Sequence, residues 1–575
     1  MRIKQHFLLA LRLCTILLIV EFFGVTVQAQ SYWVDTYTNT AVSSADPIAS
    51  RIGADIMAQG GNAVDAAIAV HFALAVTTPR AGNLGGGGFM VIHHQDGRSS
   101  ALDFREKAPL DAYREMYLDE NGEVTGQKSQ LGYLASGVPG SVDGMVKAHS
   151  SYGRLSWSTL LQPAIDLARN GYPLRASQAQ SLNAARDEFS MFEGSSSYFL
   201  KEDGSLWQAG DEFRQEDLAH TLERIQQRGR AGFYEGEIAQ AIVREMEHGG
   251  GLIRQEDLDA YESTWRTPIT LTYKDVEWIT MPMPSSGGTV MGQLLGMLEL
   301  SERSFDSPQD IERIHLFAQL MSRAFADRAL YMGDADFGDV PVNRLLEASY
   351  LEERLSTLSF DQHSPSEEVS HGEIDGWTYG VESPETTHFS VLDKEGNAVA
   401  VTTTLNGSFG SKVAVSGAGF LLNNEMDDFS IKPGTPNMFG LVGSEANAIA
   451  PEKRMLSSMS PTIVTRNGKP IIIAGAAGGP RIITATWLAI LNILDYDMNA
   501  QEALTFPRFH HQWLPDRLLV EKNVLDPGLI DRLHSMGYDV VESSGLARIH
   551  LLHVTPDGVI EASADPRGDG GTAGY

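Results

Sequence analysis

Apolar and polar positions along the chain follow two different periods, and each predicts its own elements. From Ile48 to Ala58 apolar residues recur every three or four positions, predicting an amphipathic helix closed by Gly60-Gly61. Asn62 can cap a second helix, Ala63 to Ala75, whose nearly unbroken Ala, Val and Ile content predicts burial. Beyond the glycine-rich stretch 82–88, Phe89 to His93 reads as extended. A long helix is expected from near Ser307 to about Tyr331, with Pro308 and Asp310 in its first turn. From Thr386 the period shortens to two: Phe389 to Leu392, a turn over 393–397, then Ala398 to Thr404, which together predict a hairpin. Thr462 to Thr465 and Pro470 to Ala474 read as strands, Ile483 to Leu494 as a helix, and Ile549 to Val554 with Val559 to Ser563 as a last hairpin. Strands grouped between helical regions, without an internal repeat, predict a layered α/β architecture. Asp361 to Gly380, rich in Ser, Glu, His and Gly, reads as the flexible stretch.

The first residues change this picture. Arg2, Lys4 and Arg12 precede an apolar run from Leu13 to Val27, followed by Val27-Gln28-Ala29. That order predicts a signal peptide over 1–29, cut after Ala29, and a periplasmic or secreted protein. An uncleaved membrane anchor is the other reading, but the run is short for a span and contains Glu21. The only cysteine, Cys14, lies inside it, so the mature chain would have no disulfide, thiolate metal site or cysteine nucleophile. A formal net charge of −30 with no basic block argues against a nucleic-acid partner. It also disfavours docking on an anionic membrane.

Common site motifs are missing. Asp334, Asp336 and Asp339 cluster without the glycine and distal glutamate of a calcium loop. There is no H-E-x-x-H and no G-x-S-x-G. Gly85 to Gly88 lacks the lysine of a phosphate loop and reads as a turn that lets two backbones pack closely. No metal and no cofactor are expected.

The chemistry enters through a resemblance. Thr386-Thr387-His388-Phe389-Ser390-Val391, Gly396 to Asn406, Leu422-Asn423-Asn424-Glu425-Met426-Asp427-Asp428-Phe429, Leu456 to Thr462 and Gly478-Gly479 resemble the small subunit of γ-glutamyltranspeptidases. Gly85 to Phe89, Asp103-Phe104-Arg105-Glu106, Val138-Pro139-Gly140 and Pro284 to Gly288 resemble the same family, in the same order. The resemblance implies the N-terminal-nucleophile fold, a four-layer αββα sandwich formed jointly by two autoprocessed subunits. The cut would fall between Glu385 and Thr386, giving a large subunit, 30–385, and a small one, 386–575, associated as a heterodimer. It implies hydrolysis of glutathione and other γ-glutamyl compounds, or transfer of the γ-glutamyl group to an amino acid or dipeptide.

The resemblance also implies roles. A hydroxyl is a weak nucleophile without a nearby base, and a chain-terminal Thr386 carries one in its own α-amino group. Arg105, Ser457 and Ser458 would hold the α-carboxylate of the γ-glutamyl group, and Glu425, Asp428 and Asn406 its α-ammonium. Gly478 and Gly479 would supply oxyanion N–H donors, and Thr404 would hydrogen-bond the nucleophile. Plainer readings stand beside these: strand residues for Thr386 and Thr404, an ion pair of Arg105 with Asp103 or Glu106, a solvated acidic loop at Asp427-Asp428, and turns at the serines and glycines. A glutaryl-cephalosporin-type acylase would gain little from Asp428, since its substrate has no α-amino group. A non-processing periplasmic binding protein is the third alternative. Pro436 to Leu441 resembles a lid loop with Phe439 where a tyrosine is common, predicting a looser or more hydrophobic gate.

Overall fold

A computed structural model describes residues 34–372, 379–380, 386–432, 438, 441, 443–522 and 525–575. Two seven-stranded antiparallel sheets form the centre. One runs Asp35–Tyr37, Ile560–Ala564, Arg548–Val554, Lys469–Ala477, Thr462–Arg466, Val276–Thr280, Ile269–Tyr273. The other runs Gly571–Gly574, Ala41–Ser44, Thr387–Leu392, Ala398–Thr404, Gly87–His93, Ser99–Asp103, Thr264–Arg266. Both sheets therefore interleave strands from before and after Thr386. They pack face to face, and helices Pro47–Ala58 and Ala63–Thr77 cover the outside of the second while Gly287–Leu300 and Arg481–Tyr496 cover the outside of the first.

Period-two alternation sorts the second sheet's side chains between its faces. Met90 and Ile92 join Phe389 and Val391 under the Ala63–Thr77 helix, while Phe89 and Val91 face the first sheet. His388 and Ser390 also point between the sheets. Ser390 Oγ reaches the carbonyls of Ile473 (3.2 Å) and His550 (3.1 Å), and His388 lies between Thr402 Oγ1 (2.9 Å) and Ser390 Oγ (3.1 Å). A Cβ on Gly475 would sit 2.4 Å from this imidazole. Small residues there let the sheets close, and they also hide the strand's end: it runs three residues past the expected Ala474.

Most expected elements form within a few residues. Asn62 and Asp65 cap Ala63–Thr77 reciprocally, and all of that helix is buried. The long helix starts later than expected, at Ile311, because the Asp310 carboxylate accepts from Ser307 N (3.0 Å) and bends 307–310 into a turn outside it. The stretch expected to be flexible is pinned over its described residues up to Gly372. His363 meets Asp516 (3.0 Å), Ser366 Oγ donates to Trp513 O (2.5 Å), and Gly372 N donates to Asp327 (2.9 Å). The signal peptide expected over 1–29 lies outside the described residues, and among those described no helix is long and apolar enough to cross a membrane.

Candidate active site

Thr386 sits at the mouth of strand Thr387–Leu392 and is 4% exposed. Thr387 pairs with Thr403, so extending the register by one residue sets Thr386 opposite Thr404. The glycine run fixes this corner: a Cβ on Gly85 would lie 2.2 Å from Leu421 O, and on Gly86 2.0 Å from Thr404 O. Close backbone approach is thus its role. Thr404 Oγ1 accepts from Asn406 N (2.7 Å). Asn406 has φ 69°, a left-handed conformation that asparagine tolerates. Its Nδ2 donates to Asn424 O (3.0 Å), while its buried Oδ1 carries no hydrogen bond among the described residues.

Beside this strand pair, Arg105 is fully buried amid carboxylates. It lies 2.6 Å from Glu425 and 3.5 Å from Glu106, and Nη2 donates to Asp428. Nε and Nη2 also reach the carbonyls of Met455 (3.3 Å) and Leu456 (3.4 Å). The side-chain pair with Asp103 does not form, because Asp103 is taken by Arg266 (2.7 Å) and Arg454 (3.3 Å). Asp427-Asp428 is no solvated loop: both residues are buried, and Asp427 accepts from Ser129 (2.6 Å). The cationic fork and the acidic acceptors, assigned from sequence to opposite ends of one ligand, pair with each other here.

One guanidinium faces three buried carboxylates. Burial, followed by repulsion from Glu425, pushes Glu106 and Asp428 well above the usual carboxylate range, and burial raises Glu425. Burial opposes the charge of Arg105, but Glu425, Asp428 and Glu106 hold it above its ordinary value. Among the described residues, neither oxygen of Glu106 has a hydrogen bond. Sequence reasoning saw Glu106 only as a surface partner for Arg105; its burial, invisible in the motif, makes it part of the cradle.

The serine pair is held by two motifs that meet. Ser457 N donates to Pro284 O (2.8 Å), and Ser286 N and Oγ donate to Ser457 O (2.7 and 2.8 Å). Arg328, from helix Ile311–Tyr331, donates to Ser286 Oγ (2.9 Å) and Ser458 Oγ (3.0 Å). With a lone pair occupied by Arg328, the Ser458 hydroxyl can turn its proton toward an anion. Arg328 is buried, and burial lowers its pKa to about 9, with Asp428 pulling it back. Sequence reasoning missed it, since nothing in a helical arginine signals a role at residues 286 and 458.

Gly478 (φ 142°) and Gly479 (φ 74°) form the turn between strand Lys469–Ala477 and helix Arg481–Tyr496, and Ala477 borders the same cavity as Thr386. Glu385 and Phe439 lie outside the described residues. Asp334 and Asp336 serve structure: Asp334 accepts from Arg454 N (2.8 Å), and Asp336 pairs with Arg266 (2.7 Å). His363, His511 and Asp516 do converge, as sequence spacing did not suggest. However, Trp513 N donates to His511 Nδ1 (3.2 Å), which places the His511 proton on Nε2, facing Asp516 (3.2 Å). A hydrogen-bonded group fits that wiring better than a metal ligand set.

Two stacked sheets between helices, with a strand-end threonine near an arginine–carboxylate cradle, make a mixed helix-and-sheet frame that known enzymes share. The fold matches cephalosporin acylase from Bacillus halodurans with a TM-score of 0.84 and 26% identity, covering 96% of this chain and 99% of that one. It also matches Helicobacter pylori gamma-glutamyltranspeptidase with a TM-score of 0.56 and 42% identity, over 61% and 99%. The gamma-glutamyltranspeptidase family profile matches residues 49–575. The chain is 44% identical over 536 residues to the glutathione hydrolase proenzyme of Escherichia coli (strain K12), covering 93% of this chain and 91% of that one. The chain belongs to the gamma-glutamyltranspeptidase family.

Proposed function

We infer that this protein is an exported, self-cleaving γ-glutamyl hydrolase and transferase, with Thr386 as nucleophile. The observation that carries the reading is the cradle beside Thr404: three buried carboxylates against one arginine. That excess of acceptors suits a ligand bringing both an ammonium and a carboxylate, as the α-carbon of a γ-glutamyl group does. Its ammonium would meet Glu425, Asp428 and Asn406. Its carboxylate would meet Arg105, Ser457 and Ser458, with Arg105 exchanging protein carboxylates for the ligand's.

Cleavage between Glu385 and Thr386 frees the α-amino group, which takes the Oγ proton as Oγ attacks the γ-carbonyl. The N–H groups of Gly478 and Gly479 stabilise the oxyanion, and the amine of the donor leaves with the proton. Water, or the amine of an amino acid or dipeptide, then resolves the γ-glutamyl-threonine ester. Glutathione is the expected donor, no cofactor takes part, and 30–385 and 386–575 remain associated as a heterodimer. Phe439 would leave the lid loop without a tyrosine hydroxyl to bond Asn406.

The test is intact mass and N-terminal sequencing of the mature protein, followed by assay with glutathione. Two chains, the smaller beginning Thr-Thr-His-Phe, together with glutathione cleavage, are expected. In Thr386→Ala the chain stays whole and activity is lost. A whole wild-type chain would leave a binding protein, and cleavage of glutaryl amides in preference to glutathione would leave an acylase.

A further inference from the structure

The two halves of the proposed α-carbon site stand on separate stretches of chain. Glu425 and Asp428 belong to one short helical turn, whereas Ser457 and Ser458 follow Leu456, well along the sequence. Asn447, a buried residue, lies between them. Its Nδ2 donates to Asp428 O (2.7 Å), and its Oδ1 accepts from Leu456 N (3.0 Å). One planar amide therefore joins the main chain of the acidic half to that of the serine half. Ser430 N donates to Asn447 O (2.9 Å), a second tie to the acidic side.

Asn447 is itself held from several directions. Lys453, also buried, donates through Nζ to Ala446 O (2.7 Å) and Ala448 O (3.0 Å), the carbonyls on either side of it. The Lys453 carbonyl accepts from Ala108 N (2.8 Å), on the stretch that follows Arg105. A Cβ on Gly333 would sit 2.4 Å from Ala446 O, so the chain leaving the Arg328 helix presses on the same loop. An amide offers a donor and an acceptor at a fixed separation, and Asn447 uses both.

We propose that Asn447 is a positioning residue that sets the spacing between the ammonium acceptors and the carboxylate donors, with Lys453 holding it in place. The proposal rests on the γ-glutamyl reading above. Asn447 acts on the ligand only through the Asp428 backbone and the segment from Leu456 to Ser458. A ligand gripped at both groups of its α-carbon binds tightly only when the two grips are preset at the right separation. A ligand with one of those groups feels one grip, and the separation does not matter to it. Asn447 thereby favours ligands that carry both groups over those that carry one.

The experiment uses the processed enzyme with a γ-glutamyl anilide donor and three competitive inhibitors. Glutamate carries both groups, 4-aminobutanoate keeps the ammonium end alone, and glutarate keeps only carboxylates. In Asn447→Ala the inhibition constant of glutamate rises about tenfold, the scale of one hydrogen bond. The anilide KM rises with it, while kcat and the constants of the two one-ended inhibitors hold. Asn447→Asp keeps the acceptor for Leu456 N without the donor to Asp428 O, and gives a smaller rise of the same pattern. Lys453→Met, which touches neither half directly, reproduces that pattern. An equal rise for all three inhibitors, or equal constants for all three in wild type, would overturn the proposal and leave the hydrolase reading intact. So would loss of the fold in both Asn447 variants, which would make the residue a brace. A wild-type enzyme that is inert toward every γ-glutamyl donor would instead overturn that reading, and this proposal with it.

Discussion

Two buried clusters of charge show how differently one chain can use the same residue types. Near the C-terminal end, Arg508 and Arg567 face Asp565 and Glu521, two cations for two anions. Asp565 is bonded by Arg508 (2.6 Å), Arg567 (3.1 Å) and Ile549 N (2.9 Å), and Glu521 by Arg567, Arg508 N (3.1 Å) and Leu546 N (3.2 Å). Burial alone would raise the Asp565 pKa, yet Arg508 and Arg567 hold it below the ordinary value. The cradle around Arg105 has the opposite balance, with its carboxylates pushed up. A charge cluster that satisfies itself is a brace, whereas one left short of donors is prepared to receive them from a ligand.

The largest effect that would break this contrast is on stability. Asp565→Asn leaves two arginines short of a buried partner and is expected to cost about 3–5 kcal/mol, read as a lower unfolding midpoint, with the donor KM of the folded fraction unchanged. In Asp428→Asn the cradle loses one of its crowded anions. Stability there is expected to stay within about 1 kcal/mol of wild type, while donor KM rises about tenfold or more as the ammonium loses an acceptor. If Asp428→Asn unfolds the protein as readily as Asp565→Asn, the cradle is a brace as well.

Arg328 gives the next effect. Arg328→Gln is expected to raise KM for a γ-glutamyl anilide about tenfold, through Ser458. A 4-aminobutanoyl anilide, which lacks the α-carboxylate, should feel little change, and Arg328→Lys should restore part of the loss. An equal loss on both donors would mean that Arg328 only supports the fold.

The smallest effect comes from pH. Because Glu106, Glu425 and Asp428 are raised in the folded state, the fold binds protons there more tightly than the unfolded chain does. Their contribution to stability is therefore full below the ordinary carboxylate range and is lost as pH rises through the raised values. Binding of an ammonium runs the other way, so donor KM should fall as pH rises through those raised values. A flat KM over that range would show that these carboxylates do not meet the ligand.

The sequence made the elements legible where local signals governed them. The Asn62 cap, the hairpin between Phe389 and Thr404 and the glycine run all report a neighbour's geometry within a few residues. Of the motif residues, Arg105, Glu425 and Asp428 are in ion-pair contact, and Ser457 and Ser458 follow the Leu456 carbonyl that Arg105 reaches. What sequence could not carry was partnership over distance: that Arg105 closes on Glu425 and Asp428, that Glu106 is buried, or that Arg328 reaches across to Ser458. The pinned stretch before Gly372 was misread for the same reason, since its anchors, Trp513 and Asp516, lie far along the chain.

The interleaving of strands across Thr386 has a consequence for the life of the molecule. Under the proposed cut, neither product contains a whole sheet, so neither has a core to return to alone. Before cleavage, refolding is a unimolecular event whose rate is indifferent to dilution. Afterwards it becomes an encounter between two chains, dependent on concentration and exposed to aggregation while each waits for the other. Activation would thus turn a reversible fold into one whose endurance is set by how slowly it opens.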